Sequence, residues 1–156
     1  MLETGNNNEA KRKARSAYLI AKESAYANFA YAVVLLRIGE YEESLEKFEN
    51  TLKLDSNYLL AYIGKSEAYL NLKLFDKAFE TLENSTQEVL DMPETFEIET
   101  KIAENLLAYI FDGSQLSNDS AHSVFKYCNK ILERYNNDKI LELKNNLLDK
   151  FQFEAN

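Results

Sequence analysis

The side chains able to do chemistry are few and scattered. His122 is the sole histidine and stands in a polar stretch, where a solvated helix position explains it better than general-base work. Cys128 is the sole cysteine, so no intrachain disulfide is expected, and an inert core thiol fits it better than a nucleophile. Glu40, Glu42, Glu43, Glu46 and Glu49 recur along one short stretch and read as a solvated helix face, since a metal site needs converging ligands. No glycine-rich phosphate loop and no Cys/His metal spacing is present. The chain is therefore expected to be no enzyme, with no catalytic residue, metal or cofactor. Lys11-Arg12-Lys13-Ala14-Arg15 gathers four of the eighteen Lys and Arg, and reads as a solvated helix face in preference to a localisation signal or a docking patch for an acidic partner.

The elements that would carry these residues are helices. A single proline and four glycines in 156 residues leave little material for turns. The net charge of −8 argues against nucleic-acid binding, which needs a basic face. No segment approaches the roughly 20 apolar residues of a membrane span, and residues 3–13 are too polar for a secretory leader. A cytoplasmic protein of one domain, residues 9–156, is expected after a disordered lead at 1–8. Periodicity gives helices at about 9–24, 25–38, 41–54, 58–72, 75–90, 93–111, 119–135 and 138–152. No glycine or proline separates the first two, so the first can run on into the second. Asp55 or Ser56 is expected to cap the fourth, and Pro93 suits the first turn of the sixth.

Residues 25–58 align without gaps on 59–92, with Ala27/Ala61, Leu36/Leu70, Glu46/Glu80, Glu49/Glu83 and Asn50/Asn84 identical. A fixed period of this size signals stacked helix pairs. The unit resembles the tetratricopeptide repeat (TPR). The first copy carries Tyr31, Ala32 and Leu35, then Gly39, Tyr41, Ser44, Phe48 and Thr51. The second carries Ser66 and Tyr69, then Phe75, Ala78, Leu82 and Ser85. Asn28 departs from the pattern by standing where a bulky aromatic is usual, and Lys73 by replacing the turn glycine. A degenerate third unit spans 101–135, and the final helix, 138–152, reads as a capping helix. The resemblance implies an all-α, right-handed stack of antiparallel helix pairs, about seven to eight helices in all.

In that family the first helix of each unit lines a concave groove. The equivalent positions here are Tyr26, Phe29, Val33, Leu36 and Arg37, then Leu60, Ile63, Glu67, Leu70 and Asn71, with Ile102, Asn105 and Tyr109 from the third unit. Phe29, Val33 and Gly64 occupy the places of the carboxylate-clamp residues of the chaperone-binding subclass, so that activity is not expected. What remains is an apolar groove suited to an amphipathic or apolar protein segment. The implied function is an adaptor or chaperone; in size and helix count the chain is similar to the small TPR-class secretion chaperones. The alternative is a structural subunit whose apolar faces are buried in a homodimer or larger assembly. The N-terminal helix, with Tyr18, or a second copy is the competing occupant of the groove.

Overall fold

A computed structural model describes residues 4–151. The described residues form nine helices and no strand: α1 Thr4–Ile20, α2 Ala25–Arg37, α3 Tyr41–Leu54, α4 Leu59–Asn71, α5 Phe75–Glu83, α6 Gln87–Leu90, α7 Pro93–Phe111, α8 Asn118–Arg134 and α9 Asp138–Phe151. Apart from α7 and α8, each helix packs against the next, in an all-α stack. Helix α1 begins inside the segment expected to be a disordered lead; residues 1–3, like residue 152 of the expected last helix, lie outside the described residues.

The internal match is visible as two equivalent helix pairs. In each, two small residues face each other across the pair, and one of them is a serine donating to the opposite backbone. Ser44 Oγ on α3 donates to the Ala32 carbonyl of α2 at 3.0 Å, and Ser66 Oγ on α4 donates to the Ala78 carbonyl of α5 at 2.8 Å. The aligned positions 32/66 and 44/78 thus exchange serine and alanine while keeping the close approach. The turns also coincide, with Glu40 N–H bonding to the Leu35 carbonyl at 2.9 Å and Leu74 N–H to the Tyr69 carbonyl at 3.0 Å. Gly39 turns the first corner with φ +86°, and Lys73 adopts the same left-handed conformation at the second, φ +61°.

The single helix expected over 75–90 is split, which adds α6 to the eight expected. Thr86 caps a new short helix by accepting the Val89 N–H at 3.4 Å, and Val89 turns into the core, where Thr95 Oγ1 donates to its carbonyl. Neither Asp55 nor Ser56 caps α4. Tyr58 holds the N-cap position without a side-chain bond, and Asp55 instead closes an Asx turn onto Asn57 N–H at 3.0 Å.

Downstream of α6 the pairing rule changes. No Cα of α7 lies within 8 Å of one in α8; α9 packs against both, and α8 leans on α5. The expected third unit is therefore opened by its own capping helix. Apolar Ile140, Leu143 and Leu147 of α9 fill the gap and join the main core with Ile102, Leu106, Val124 and Ile131. Asn137 fixes the start of α9, accepting from Lys139 and Ile140 N–H at 3.1 Å and donating to Thr100 Oγ1 of α7 at 2.9 Å.

Candidate functional site

Helices α2 and α4 run parallel, as the first members of consecutive antiparallel pairs. Tyr26, Phe29, Val33 and Arg37 are spaced by three, four and four residues along α2, and Leu60, Ile63, Glu67 and Asn71 repeat that spacing along α4. Each set is therefore one stripe along its helix. The first halves are apolar and open: Tyr26 is 72% exposed and Leu60 45%, while Phe29, Val33 and Ile63 are half-buried. The second halves are polar. Arg37 and Glu67 approach to 3.5 Å across the two helices, and the Asn71 amide is turned back onto the Glu67 carbonyl at 2.8 Å.

Phe29 anchors the apolar half. Its ring lies 6.0 Å from that of Phe48 in the core and 4.7 Å from that of Tyr58, the N-cap residue of α4. Burial, then the neighbouring Tyr26 and Asp55, raise the Tyr58 hydroxyl above its ordinary value. Tyr58 is absent from the positions implied by the repeat resemblance because it precedes the helix; only its closeness to Phe29 reveals it.

Three expected groove residues belong to the core instead. Leu36 is 6% exposed, Leu70 7% and Ile102 0%. Leu36 and Leu70 stand four residues beyond the fully buried Ala32 and Ser66, hence on the packed stripe of their helices. Tyr109 is half-buried and edge-on to Phe75 at 5.4 Å, filling a corner of the core; Asn105 is exposed and donates to the Lys101 carbonyl.

Helix α1 lies away from the stripe. Tyr18 stacks on Tyr31 at 5.4 Å, and Tyr31 is roughly 160° round α2 from Phe29 at 100° per residue. Lys11 reaches Glu40 at 2.9 Å and Glu43 at 3.1 Å, at the start of α3. Partial burial would raise the Glu43 carboxyl, but bonds from Lys11 and Tyr31 outweigh it and leave it below its ordinary value.

The other concentration of charge is internal. Arg134 of α8 donates to Glu83 of α5 at 2.8 Å and to Glu99 of α7, bridging three helices. Glu99 is fully buried, and burial pushes its carboxyl up to about 7 against the lowering pull of Arg134. This clamp joins α7 to α8 where their backbones do not meet. Cys128 is fully buried on α8, and burial pushes its thiol up to about 12, which removes the thiolate needed for nucleophilic attack. His122 is exposed on α8. Among the described residues no three His, Cys, Asp or Glu side chains are placed to hold a metal ion, and no helix is long and apolar enough to cross a membrane.

Together the fold and this surface define a class: a helical stack that presents an apolar stripe across two parallel helices. No known protein-family profile matches the sequence, and no curated protein matches it.

Proposed function

We propose that the chain is a non-enzymatic, TPR-type interaction module that holds an apolar or amphipathic protein segment along the α2–α4 stripe. One observation carries this reading: Tyr26 and Leu60 stand exposed beside Phe29, Val33 and Ile63, and the chain's own N-terminal helix is berthed on the far side of α2. Exposed aromatic and branched residues on a rigid two-helix floor are the usual material of a helix-in-groove contact. The aligned turns and the exchanged Ser/Ala pairs support the repeat class independently of the surface. The Arg37–Glu67 pair bounds the apolar half, so the guest's apolar residues would seat towards Tyr26 and Leu60 with its polar end over the pair. The setting of such a module would be the cytoplasm.

Selection from a displayed library of helical peptides tests this. Peptides recovered on the wild-type chain are expected to repeat apolar residues at three- and four-residue spacing and to bind at micromolar strength. Tyr26→Asp with Leu60→Asp, both at exposed positions, should weaken them by at least about tenfold, since two apolar anchors each contribute about 1 kcal/mol or more. Equal binding to the folded double variant would refute the assignment. A wild-type dimer that the same pair of substitutions dissociates would assign the stripe to self-association instead.

A further inference from the structure

We propose that α1 is an exchangeable arm, and that its berth on α2–α3 also receives α1 from a second copy of this chain. The inference does not rest on the groove, which lies on the other side of α2.

The seam that docks α1 continues through the bend. Lys11, Ala14, Tyr18, Ala21, Ala25 and Asn28 recur at alternating three- and four-residue spacing, the repeat that lets two helices lie along each other. Lys11 and Tyr18 tie α1 to the berth: Lys11 with Glu40 and Glu43, Tyr18 with Tyr31 and, under the Lys47 ammonium at 4.8 Å, with α3. None of residues 5–20 is buried, so leaving the berth costs α1 no core of its own.

The bend at Ala21–Ser24 is made of good helix formers, Ala21, Lys22 and Glu23, with neither glycine nor proline. Two side chains hold it. Ser24 sits extended at ψ 122° and accepts the Ala27 N–H at 3.3 Å. Buried Asn28 donates to the Lys22 carbonyl at 2.8 Å and to the Ser24 carbonyl at 2.9 Å. The Lys22 carbonyl lies six residues back, beyond the reach of a regular helix, so this bond exists only while the chain is bent. Asn28, which departs from the repeat pattern, acts as the latch.

With the latch released, residues 4–37 can run as one helix of about 50 Å at 1.5 Å per residue. Two such helices lying antiparallel place each Tyr18 on the other copy's Tyr31 and each Lys11 beside the other copy's Glu40 and Glu43. The symmetry axis then passes near Ser24, where Ala21 and Ala25 permit close approach. The Lys11 and Tyr18 contacts of the monomer are remade between copies while the bend is released, which is the condition for domain exchange.

Two substitutions act on the bend in opposite senses. Asn28→Ala removes the latch and favours the straight helix, and should raise the dimerisation constant at least roughly tenfold, since two bends are released per dimer. Ala25→Pro suits the first helical position after an extended Ser24, yet breaks a helix running through it. The test refolds full-length wild type, Asn28→Ala, Ser24→Ala and Ala25→Pro with Asn28→Ala at high and low concentration, and reads mass by light scattering. Dimer in Asn28→Ala above the wild-type level, lost in the double variant, is the expected result. Ser24→Ala, which removes the cap alone, should also dimerise and serves if Asn28→Ala does not fold. Monomer in both single variants at every concentration, or a dimer that survives Ala25→Pro, would overturn the proposal.

Discussion

Gly64 offers the sharpest check on how the two pairs are held together, because it sits in mid-helix where glycine is a poor choice. Replacing it by alanine should help α4 by about 1 kcal/mol on helix propensity alone. Packing opposes this. A Cβ at position 64 would lie 2.3 Å from Cζ and 2.6 Å from Cε1 of Phe48. Ordinary contact needs about 3.4 Å or more, so the ring would have to retreat by roughly 1 Å. Phe48 is fully buried, a ring with no flexible end to swing aside, and Phe29 rests against it. Overpacking of this kind costs about 1–3 kcal/mol, and a rigid ring belongs in the upper part of that range. The balance is a loss of about 1–2 kcal/mol for Gly64→Ala, read as a lower urea midpoint at unchanged slope. In Phe48→Leu the alanine should cost at least about 1 kcal/mol less, since the two positions touch. An alanine variant as stable as wild type or more so would refute the account, and with it the claim that α3 and α4 approach closely because residue 64 has no side chain.

Lys73 holds the left-handed turn that Gly39 holds in the first pair. Lys73→Gly should therefore raise the melting temperature by a few degrees, a gain of roughly 0.5–1 kcal/mol after the extra freedom of unfolded glycine is set against it; a lowered melting temperature would disprove the strain. The Glu99 carboxyl titrates near 7 in the fold and near 4.5 when unfolded, so the folded chain keeps a proton that the unfolded chain releases. Its contribution is then intact below about pH 4.5 and is lost as pH rises through 7. Urea midpoints of Glu99→Gln, measured against wild type from pH 5 to 7.5, should gain on wild type as pH rises; a constant difference would exclude the shifted carboxyl. The Cys128 thiol should resist a disulfide reagent in the native state and react fully in denaturant, and fast native labelling would contradict its burial.

The two helix pairs were legible because the residues that set their approach are local and repeated: 32 with 44, and 66 with 78, each within one unit. The partnership of α7, α8 and α9 was not, since the helices were visible as periodic stretches while their neighbours are settled by long-range contacts such as Arg134 with Glu99 and Asn137 with Thr100. The short helix α6 escaped because the polar stretch 83–88 holds neither glycine nor proline, so the break between Glu83 and Gln87 has no strong punctuation and shows only once Thr86 caps a new start. At the surface, Tyr26, Phe29 and Val33 were named through the repeat resemblance; their exposed or half-buried state and three- and four-residue spacing place them on one stripe of α2. Leu36 and Leu70, groove positions by the resemblance, are buried, and their four-residue offset from the small packing residues Ala32 and Ser66 puts them on the inner stripe. The berth of α1 depends on which face of α2 carries Tyr31, and that is settled by its hydroxyl bond to Glu43 at 2.9 Å, a contact with no sequence signature.

The wedged position of α9 has a consequence for how the chain comes together. The α2–α3 and α4–α5 pairs find their partners within one repeat length, so they can assemble as soon as each pair is available. The other half closes differently: α7 rests on α4 and α5 and α8 on α5, but the gap between α7 and α8 is filled only by Ile140, Leu143 and Leu147, from a segment at the far end of the described chain. The α7–α8 gap is therefore expected to close only once α9 is present, and a chain lacking α9 to be more prone to association than the whole chain, a difference that light scattering on the two would read.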